Sequence, residues 1–545
     1  MTSFLLASFV GLVLGAQDGA DAEPWQRITP QHVAFIRSQM RFLADDLNEG
    51  RAPGTRGGLQ AARYLSAQLE GLGIEPFGDA GSYLQRVPLI GVTTDNTKSS
   101  LTLDVAGAAH PIALLDDCVV GDETQTERVE LDAPLVYVGY GITSPEMNWD
   151  DYKGVDVKGK ILLMLVNDPP SDDPNFFGGK GLTYSGRWTY KYEEAARRGA
   201  IGAILIHRDV MATYGWQVVR NSWARERPYV DARTNDEPRL KLVSWIRDAT
   251  IAPLLKDAGL DLDELITRAA TREFTPVVLP MRAKAKIEST MRSIDTYNVV
   301  GVLRGDERAD EYVVYTAHYD HLGNNGATEK DGIYNGAVDN ASGCATLLQV
   351  IKRFTEERAA TKSMLPRSLV FLFPTAEESG LRGSEYFANH PPVAAKQLIA
   401  NINIDGVAVD GVPAEFALLG VERSSLREPA EAAAQMMGVT LVPDASPELG
   451  LMYRSDHFSL AKVGIPAISM KNGTKFFDRP DDFALNAQQD YTKNRYHQPS
   501  DEYDPKWDLR GAYFTAEFAY RIGQFVALDP TVPEYRDGDE FDLER

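Results

Sequence analysis

The chain has few of the residues and features that several protein classes require. Its 545 residues include only two cysteines, Cys118 and Cys344, which lie far apart in the sequence. Two distant thiols cannot form a disulfide framework or a cysteine-based zinc site. One disulfide between them is an alternative, but we expect both to be buried and free. A transition metal in this protein would therefore be held by nitrogen and oxygen ligands.

Basic residues are also in deficit, with 56 Lys and Arg against 78 Asp and Glu and a net charge of -22. A surface of that sign repels phosphate backbones and anionic lipid headgroups. We therefore expect no nucleic-acid partner. We interpret the acidity mainly as a source of solubility, with some carboxylates available to hold metal.

Long apolar runs are missing beyond the N-terminus. Residues 4–16 form one apolar run that is too short to span a bilayer but resembles the apolar region of a signal peptide. Ala20, Asp21 and Ala22 then offer a cleavage site, although no Lys or Arg precedes the run. We predict a signal peptide over residues 1–22, a secreted or periplasmic protein, and no membrane association after cleavage.

What the chain does contain is enough material for two to four units, at about 150 residues per domain. Apolar residues at helical spacing predict helices from residue 29 to about 72, and residues 97–278 read as short strands bounded by turns. From residue 293 strands alternate with helices, which favours a mainly parallel sheet covered on both faces. The predicted α/β fold thus combines a mainly parallel central sheet, flanked by helices, with an inserted β-rich domain.

The predicted boundaries follow from these changes of pattern. They are a signal peptide at 1–22, the N-terminal part of the α/β domain at 23–96, an inserted domain at 97–284, the main part of the α/β domain at 285–530 and a loosely ordered acidic tail at 531–545.

Chemistry-bearing side chains follow the predicted strands of the C-terminal half. His318 and Asp320 end one strand, and Glu377 with Glu378 follow the next. Asp405 ends a third strand. In open α/β sheets the carboxyl ends of strands meet at one edge, so these side chains are expected to lie together.

Taken singly, each of these residues has a simpler explanation. Asp339 stands just before a predicted helix and could cap it, and a Glu pair could be a solvated surface feature. His457 and His497 both occur late in the chain, and either could supply a last ligand. The ordered set of His, Asp, Glu-Glu, Asp and His carries the argument, because buried carboxylates need a partner or a metal.

The motifs in the order His318-Tyr-Asp-His-Leu-Gly, Asn335-Gly-Ala-Val-Asp-Asn-Ala-Ser-Gly, Ala376-Glu-Glu-Ser-Gly, Asn403-Ile-Asp, Arg454-Ser-Asp-His and Tyr496-His resemble the M28 family of zinc peptidases. The likeness covers about residues 290–525 and implies the zinc exopeptidase fold. The segment from Gly159 through Ala195 to Gly199 resembles a protease-associated (PA) domain, which would be the inserted unit.

The M28 resemblance implies a site with two zinc ions. It makes His318 and Asp405 ligands of one ion, Glu378 and His497 ligands of the other, and Asp339 the bridge. It also implies that Glu377 is the general base, that Asp320 supports His318 and that Tyr496 stabilises the oxyanion. Arg454, Asp456 and His457 would support the site or contact substrate.

The function implied is a secreted di-zinc aminopeptidase that acts on peptide substrates through a metal-bridged hydroxide. The same metal core also serves carboxypeptidases and dipeptidases, and the residues do not separate these. A non-catalytic PA-bearing receptor-like binding protein is a further alternative, disfavoured because every expected ligand type is present. A homodimer remains open.

Overall fold

The computed structural model describes residues 23–173, 175–212, 214–234, 236–327 and 331–543. The predicted signal peptide, 1–22, lies outside the described residues. No helix within those ranges combines the length and the apolar character that a membrane crossing requires.

The helices of the described chain are numbered in chain order. They are α1 Pro30–Leu43, α2 Arg56–Gly71, α3 Trp188–Arg197, α4 Asp209–Ala212, α5 Trp216–Trp223, α6 Asp248–Asp257, α7 Leu262–Ala269, α8 Gly343–Thr361, α9 Arg382–Asn389, α10 Arg427–Met437, α11 His457–Ala461, α12 Phe483–Asn494 and α13 Arg510–Leu528.

The strands are numbered in the same way. They are β1 Glu75–Pro76, β2 Leu84–Thr94, β3 Ser100–Val105, β4 Ala108–Ile112, β5 Cys118–Gly121, β6 Arg128–Tyr137, β7 Thr143–Ser144, β8 Trp149–Asp150, β9 Ile161–Met164, β10 Gly202–His207, β11 Arg227–Val230, β12 Leu242–Arg247, β13 Val277–Leu303, β14 Arg308–Thr316, β15 Gly323–Asn324, β16 Ile333–Tyr334, β17 Arg367–Phe373, β18 Leu398–Ile404, β19 Glu415–Leu419, β20 Thr440–Leu441 and β21 Ala467–Asn472.

The centre of the catalytic sheet consists of four parallel strands in the order β17, β14, β18 and β21. Antiparallel strands extend it on both sides, β13 and β2 next to β17, and β19 next to β21. Every residue of β17 and β18 is buried, as expected for strands covered on both faces. The predicted α/β class is therefore confirmed, with antiparallel strands at the flanks of a parallel centre.

Helices cover both faces of this sheet. On one face α8 packs against α1 and α13, and the shared core includes Ile36, Leu347 and Phe518. On the other face α9 and α11 contact each other, with Phe387 and Leu460 against the strands. Helix α1 buries the apolar stripe that its helical spacing predicted.

A second sheet lies in the segment predicted to be inserted. Strands β6, β9, β10 and β12 are parallel in that order, and β3, β4, β5 and the first half of β13 extend the sheet antiparallel. Strand β13 continues from this sheet into the catalytic sheet, and its pairing changes between Glu288 and Ser289. We call residues 97–284 the inserted segment. Its strand β11 returns to pair with β2 of the catalytic sheet.

The C-terminal segment differs from the expected loose acidic tail. Tyr535 and Phe541 are buried, and the Tyr535 hydroxyl donates to the carbonyl of Ile465 at 3.0 Å. Arg423 pairs with Asp539 at 2.8 Å. The prediction was wrong because it considered only the acidic residues of the segment. The aromatic residues Tyr535 and Phe541 bury enough apolar surface to hold the segment against the protein.

Candidate metal centre

Three parallel strands deliver the first group of side chains to one edge of the sheet. His318 lies two residues past the end of β14, and β17 and β18 flank that strand on either side. Glu377 and Glu378 follow β17, and Asp405 comes directly after β18. Parallel pairing therefore places one imidazole and three carboxylates at the same carboxyl edge.

Asp339 lies between two histidines in the turn before α8. Its Oδ1 is 3.3 Å from Nε2 of His318, and its Oδ2 is 3.3 Å from Nε2 of His497. The neighbouring residue Asn340, and not Asp339, makes the capping contact with α8. Its Oδ1 accepts the N–H of Gly343 at 3.0 Å. The carboxylate of Asp339 is thus directed at the two imidazoles with one oxygen for each.

The two histidines each face one further carboxylate. The Nε2 of His318 is 3.3 Å from Oδ1 of Asp405, and the Nε2 of His497 is 3.1 Å from Oε2 of Glu378. The structure therefore brings together the five residues predicted as metal ligands. They divide into His318 with Asp405 and His497 with Glu378, with Asp339 between the pairs.

The spacing and the charge of this set fit zinc. Ligand atoms bound tetrahedrally at about 2.0–2.1 Å lie about 3.3 Å apart, which is close to the observed nitrogen–oxygen separations. The carboxylates also create an excess of buried negative charge. Burial would lower the pKa of His318, but Glu377, Asp339 and Asp405 outweigh that effect and raise it well above its ordinary value. Cations at this edge would neutralise the excess.

His321 belongs to the same cluster and was not given a role from the sequence. It is buried, and its Nδ1 lies 2.6 Å from Oε1 of Glu378, a contact in which the imidazole N–H donates to the carboxylate. Two groups of three residues could each hold a metal ion. Each residue of a group offers one ligand atom, and the three atoms lie within 4.8 Å of one another. The groups are His318, Glu377 and Asp405, and His321, Asp339 and Glu378. The signal available in the sequence was its place three residues after His318.

Asp320 contacts both the first histidine and the predicted base. Its Oδ1 accepts the backbone N–H of Glu377 at 3.1 Å and lies 3.8 Å from Nδ1 of His318. The Oε2 of Glu377 lies 3.9 Å from Nε2 of His318. Burial, together with Glu378 and Asp405, raises the pKa of Glu377 well above its ordinary value.

The late histidines and Tyr496 occupy different surroundings. His457 is buried at the start of α11, and neither ring nitrogen has a hydrogen-bond partner among the described residues. Burial lowers its pKa to about 3. Tyr496 is 46% exposed and stacks on the ring of His497 at 3.9 Å. The geometry thus places His497 in contact with the carboxylates of the cluster, whereas His457 makes no hydrogen bond to them.

Two further side chains hold the loops of the site, and the sequence did not single them out. The buried guanidinium of Arg51 donates to the carbonyls of Tyr319 at 2.7 Å and Gly336 at 2.9 Å, on the loops that carry His318 and Asp339. Asp501 accepts the backbone N–H groups of Val338 and Asp339, each at 3.1 Å. Both contacts span more than 150 residues of sequence, so local patterns do not reveal them.

Comparison with known proteins agrees with this site. Residues 298–518 match the family model described as peptidase family M28, and this range contains every member of the cluster. This part of the chain belongs to peptidase family M28. We refer to residues 298–518 as the M28 domain.

Relatives and a solved structure resemble parts of the chain that differ in length. A glutamate carboxypeptidase 2 homolog from Caenorhabditis elegans is 30% identical over 328 residues, covering 52% of this chain and 39% of its own length. Leucine aminopeptidase 1 from Arthroderma otae is 30% identical over 125 residues, covering 23% and 32%. The chain thus spans about two fifths or less of the length of each of these two relatives. An aminopeptidase from Aneurinibacillus sp. strain AM-1 superposes with a TM-score of 0.49 and 18% identity, covering 93% of this chain and 96% of its own.

Proposed function

We propose that this protein is a secreted or periplasmic di-zinc peptidase that releases residues from the N-termini of peptides. The observation that carries the proposal is the position of Asp339, with one oxygen 3.3 Å from His318 and the other 3.3 Å from His497. A carboxylate placed in this way suits the bridge between two metal ions. The M28 domain supports the same reaction class.

The ligands of the proposed site follow from the same distances. His318 and Asp405 would hold one zinc ion, His497 and Glu378 the other, and Asp339 both. When bound, two zinc ions would polarise the scissile carbonyl and make water a better nucleophile at neutral pH.

The chain's own groups would handle the protons. Glu377 would take a proton from the attacking water and return it to the leaving amine. Asp320 would fix Glu377 through its backbone N–H and His318 through its ring.

Tyr496 would donate a hydrogen bond to the oxyanion that develops on the substrate carbonyl. Its hydroxyl is available for this role because the side chain is 46% exposed and rests on the ring of His497. In this position it stands on the solvent side of the cluster, where a peptide would enter.

The aminopeptidase assignment competes with carboxypeptidase and dipeptidase chemistry on the same metal core. The relatives include one protein named as a glutamate carboxypeptidase homolog and one named as a leucine aminopeptidase. The test compares a peptide with a free α-amine and its N-acetylated twin. An aminopeptidase hydrolyses the first and spares the second. Equal rates on both would exclude the aminopeptidase and leave the other two peptidase classes.

A further inference from the structure

The loop that carries Glu377 and Glu378 closes on itself. We call residues 376–382, which lead from β17 into α9, the Glu377 loop. The backbone N–H groups of Gly380 and Leu381 both donate to the carbonyl of Glu377, at 2.8 and 2.9 Å. The position of the Glu377 side chain therefore depends on the shape of the whole loop.

Two residues of this loop adopt a backbone conformation that is rare for residues with side chains. Ala376 has a φ of 55° and Leu381 a φ of 63°, both in the left-handed region. A residue with a Cβ atom is strained there, and the conformation persists only where the surrounding structure enforces it. The loop therefore needs contacts from outside to keep its shape.

One of these contacts comes from the inserted segment. Arg382 is the last residue of the loop, and its Nε donates to the carbonyl of Pro228 at 3.2 Å. Its guanidinium carbon also lies 5.2 Å from the centroid of the Tyr229 ring, a distance at which a cation is attracted to the face of an aromatic ring. Pro228 and Tyr229 both belong to strand β11. Arg382 is thus held by two contacts with β11.

The other end of the loop also packs against β11. Ala376 is fully buried in a small apolar cluster that includes Val230, the last residue of β11. The remaining buried members of this cluster come from β2 and β13 and are Val87, Leu89 and Ile294. The inserted segment therefore contacts the Glu377 loop at both of its ends.

Strand β11 is itself held in place on two sides. Its four residues pair antiparallel with β2 of the catalytic sheet. The guanidinium of Arg227 lies 3.8 Å from the centroid of the Trp223 ring in α5, and the carbonyl of Val230 accepts the side-chain amide of Gln125 at 2.7 Å. Strand β11 therefore connects the loop to the body of the inserted segment.

An ion pair with Glu385 is the simpler explanation for Arg382. The Nη1 of Arg382 lies 2.9 Å from Oε2 of Glu385, one turn along α9. Pairs of this kind contribute little to stability. The pair also uses only one edge of the guanidinium, so it does not explain why the Nε and the face of the group contact β11.

We propose that the inserted segment positions the general base, with strand β11 bracing the Glu377 loop through Arg382 and Ala376. Arg382 is then a positioning residue, which acts on the reaction only through the loop. The effect on turnover rests on the peptidase function proposed above, whereas the brace is a property of the fold. A catalytic group displaced by about 1 Å can cost about 100-fold in rate, so loss of the brace should be measurable.

The test uses four single variants. Arg382→Leu and Tyr229→Leu remove the brace from its two sides, and Arg382→Lys keeps a cation that can still donate to Pro228. The matched control is Arg427→Leu, because Arg427 also begins a helix, α10, and pairs with Glu431 one turn on at 2.6 Å. Tm and circular dichroism of each variant establish that it is folded.

Hydrogen exchange without substrate measures the brace itself. The amides of Gly380, Leu381 and Arg382 donate within the loop, so their exchange reports its opening. Arg382→Leu should speed this exchange roughly 10- to 100-fold, because a hydrogen bond from a charged group is lost, and Tyr229→Leu by a smaller factor. Arg382→Lys should lie between Arg382→Leu and the wild type, and Arg427→Leu should match the wild type. Wild-type protection of the loop in Arg382→Leu overturns the brace, whether or not the protein is a peptidase.

Turnover then tests whether the brace positions the base. In Arg382→Leu kcat should fall roughly 10- to 100-fold with little change in KM, because the base is displaced while the groups that bind substrate are retained. Arg382→Lys should recover part of this loss. Adding Tyr229→Leu to Arg382→Leu should cost little more, since both substitutions remove the same contact. A normal kcat in Arg382→Leu, or a fully additive loss in the double variant, overturns the positioning role.

Zinc affinity replaces turnover if the wild type hydrolyses no peptide. Because Glu378 lies on the same loop, Arg382→Leu should weaken zinc binding roughly 10-fold in competition with a chelator. Unchanged affinity overturns the positioning role. A wild type that neither hydrolyses peptides nor binds zinc refutes the peptidase function and the positioning role together, and hydrogen exchange still decides the brace.

Discussion

At the scale of single residues, the cluster owes its character to buried carboxylates around few imidazoles. Glu377 and Glu378 are adjacent in sequence, yet the oxygens of Glu378 contact His321 and His497 while Glu377 faces His318. Neighbouring residues at the end of a strand point in different directions, which lets one hold metal and the other handle a proton. Substitution of each residue in turn therefore separates the effect on proton transfer from the effect on metal binding.

Glu377→Gln should keep both zinc ions and lose activity by about 10²–10⁴-fold, because the amide cannot accept the proton from water. Glu378→Gln should instead lower the zinc content, since it removes a charged ligand. Peptide turnover and elemental analysis of the two purified variants check this. Normal turnover by Glu377→Gln would remove this residue from the mechanism.

His321 should act by holding the carboxylate of Glu378 in place. Removal of such an outer hydrogen bond typically weakens metal binding by about 10–100-fold. We expect this loss of zinc affinity in His321→Leu and a smaller one in His321→Asn, whose amide can donate from near the Nδ1 position. Competition with a chelator measures both affinities. If the two variants lose affinity equally, the hydrogen bond is not what His321 contributes.

At the scale of elements, the sequence predicted what local periodicity controls. The strand predicted to end at Asp405 is β18, which ends at Ile404, and the helix predicted just after Asp339 is α8, which begins at Gly343. The free, buried thiols of Cys118 and Cys344 are also as predicted. These features depend on apolar runs, spacing and residue counts, which a sequence shows directly.

Contacts between elements that are far apart in the sequence could not be predicted from local patterns. Arg51 lies between α1 and α2, yet it contacts loops more than 250 residues away in the sequence. The return of β11 to pair with β2 is of the same kind. Such contacts depend on the packed arrangement and leave no periodic pattern in the chain.

The C-terminal segment should stabilise the protein through Phe541. Its ring packs near Tyr184, Phe458 and Tyr535, at centroid distances of 6.2, 6.1 and 5.8 Å. Truncation of a buried Phe costs about 3–5 kcal/mol. Phe541→Ala should therefore lower the free energy of unfolding by about that amount.

The matched control is Leu543→Ala, because Leu543 is 48% exposed two residues further on. We expect a change within about 0.5 kcal/mol for it. Chemical denaturation of both variants measures the difference. Equal, small effects would mean that the segment does not stabilise the folded protein in solution.

At the scale of the whole molecule, the inserted segment and the M28 domain contact each other directly. Ring contacts between Tyr184 and Phe458 and the ion pair of Glu193 with Lys462 join the two parts. These contacts hold the inserted segment against the M28 domain, and the likeness of the segment to a PA domain remains a proposal.

Zinc should stabilise the folded protein as a whole, because a ligand that binds only the folded state raises its stability by mass action. A zinc concentration 100 times the dissociation constant contributes about 2.7 kcal/mol. Chelation should accordingly lower Tm, and added zinc should restore it together with peptide turnover. Calorimetric scans with and without chelator check this, and an unchanged Tm would argue against tight metal binding.

The most direct test of the account is the number of zinc ions that the purified, dialysed protein holds. Elemental analysis should give two zinc ions per chain for the wild type and fewer than two for Asp339→Asn, because Asp339 lies between both histidines. A wild-type protein that holds no stoichiometric zinc, or the same two ions after Asp339→Asn, would contradict the proposed centre.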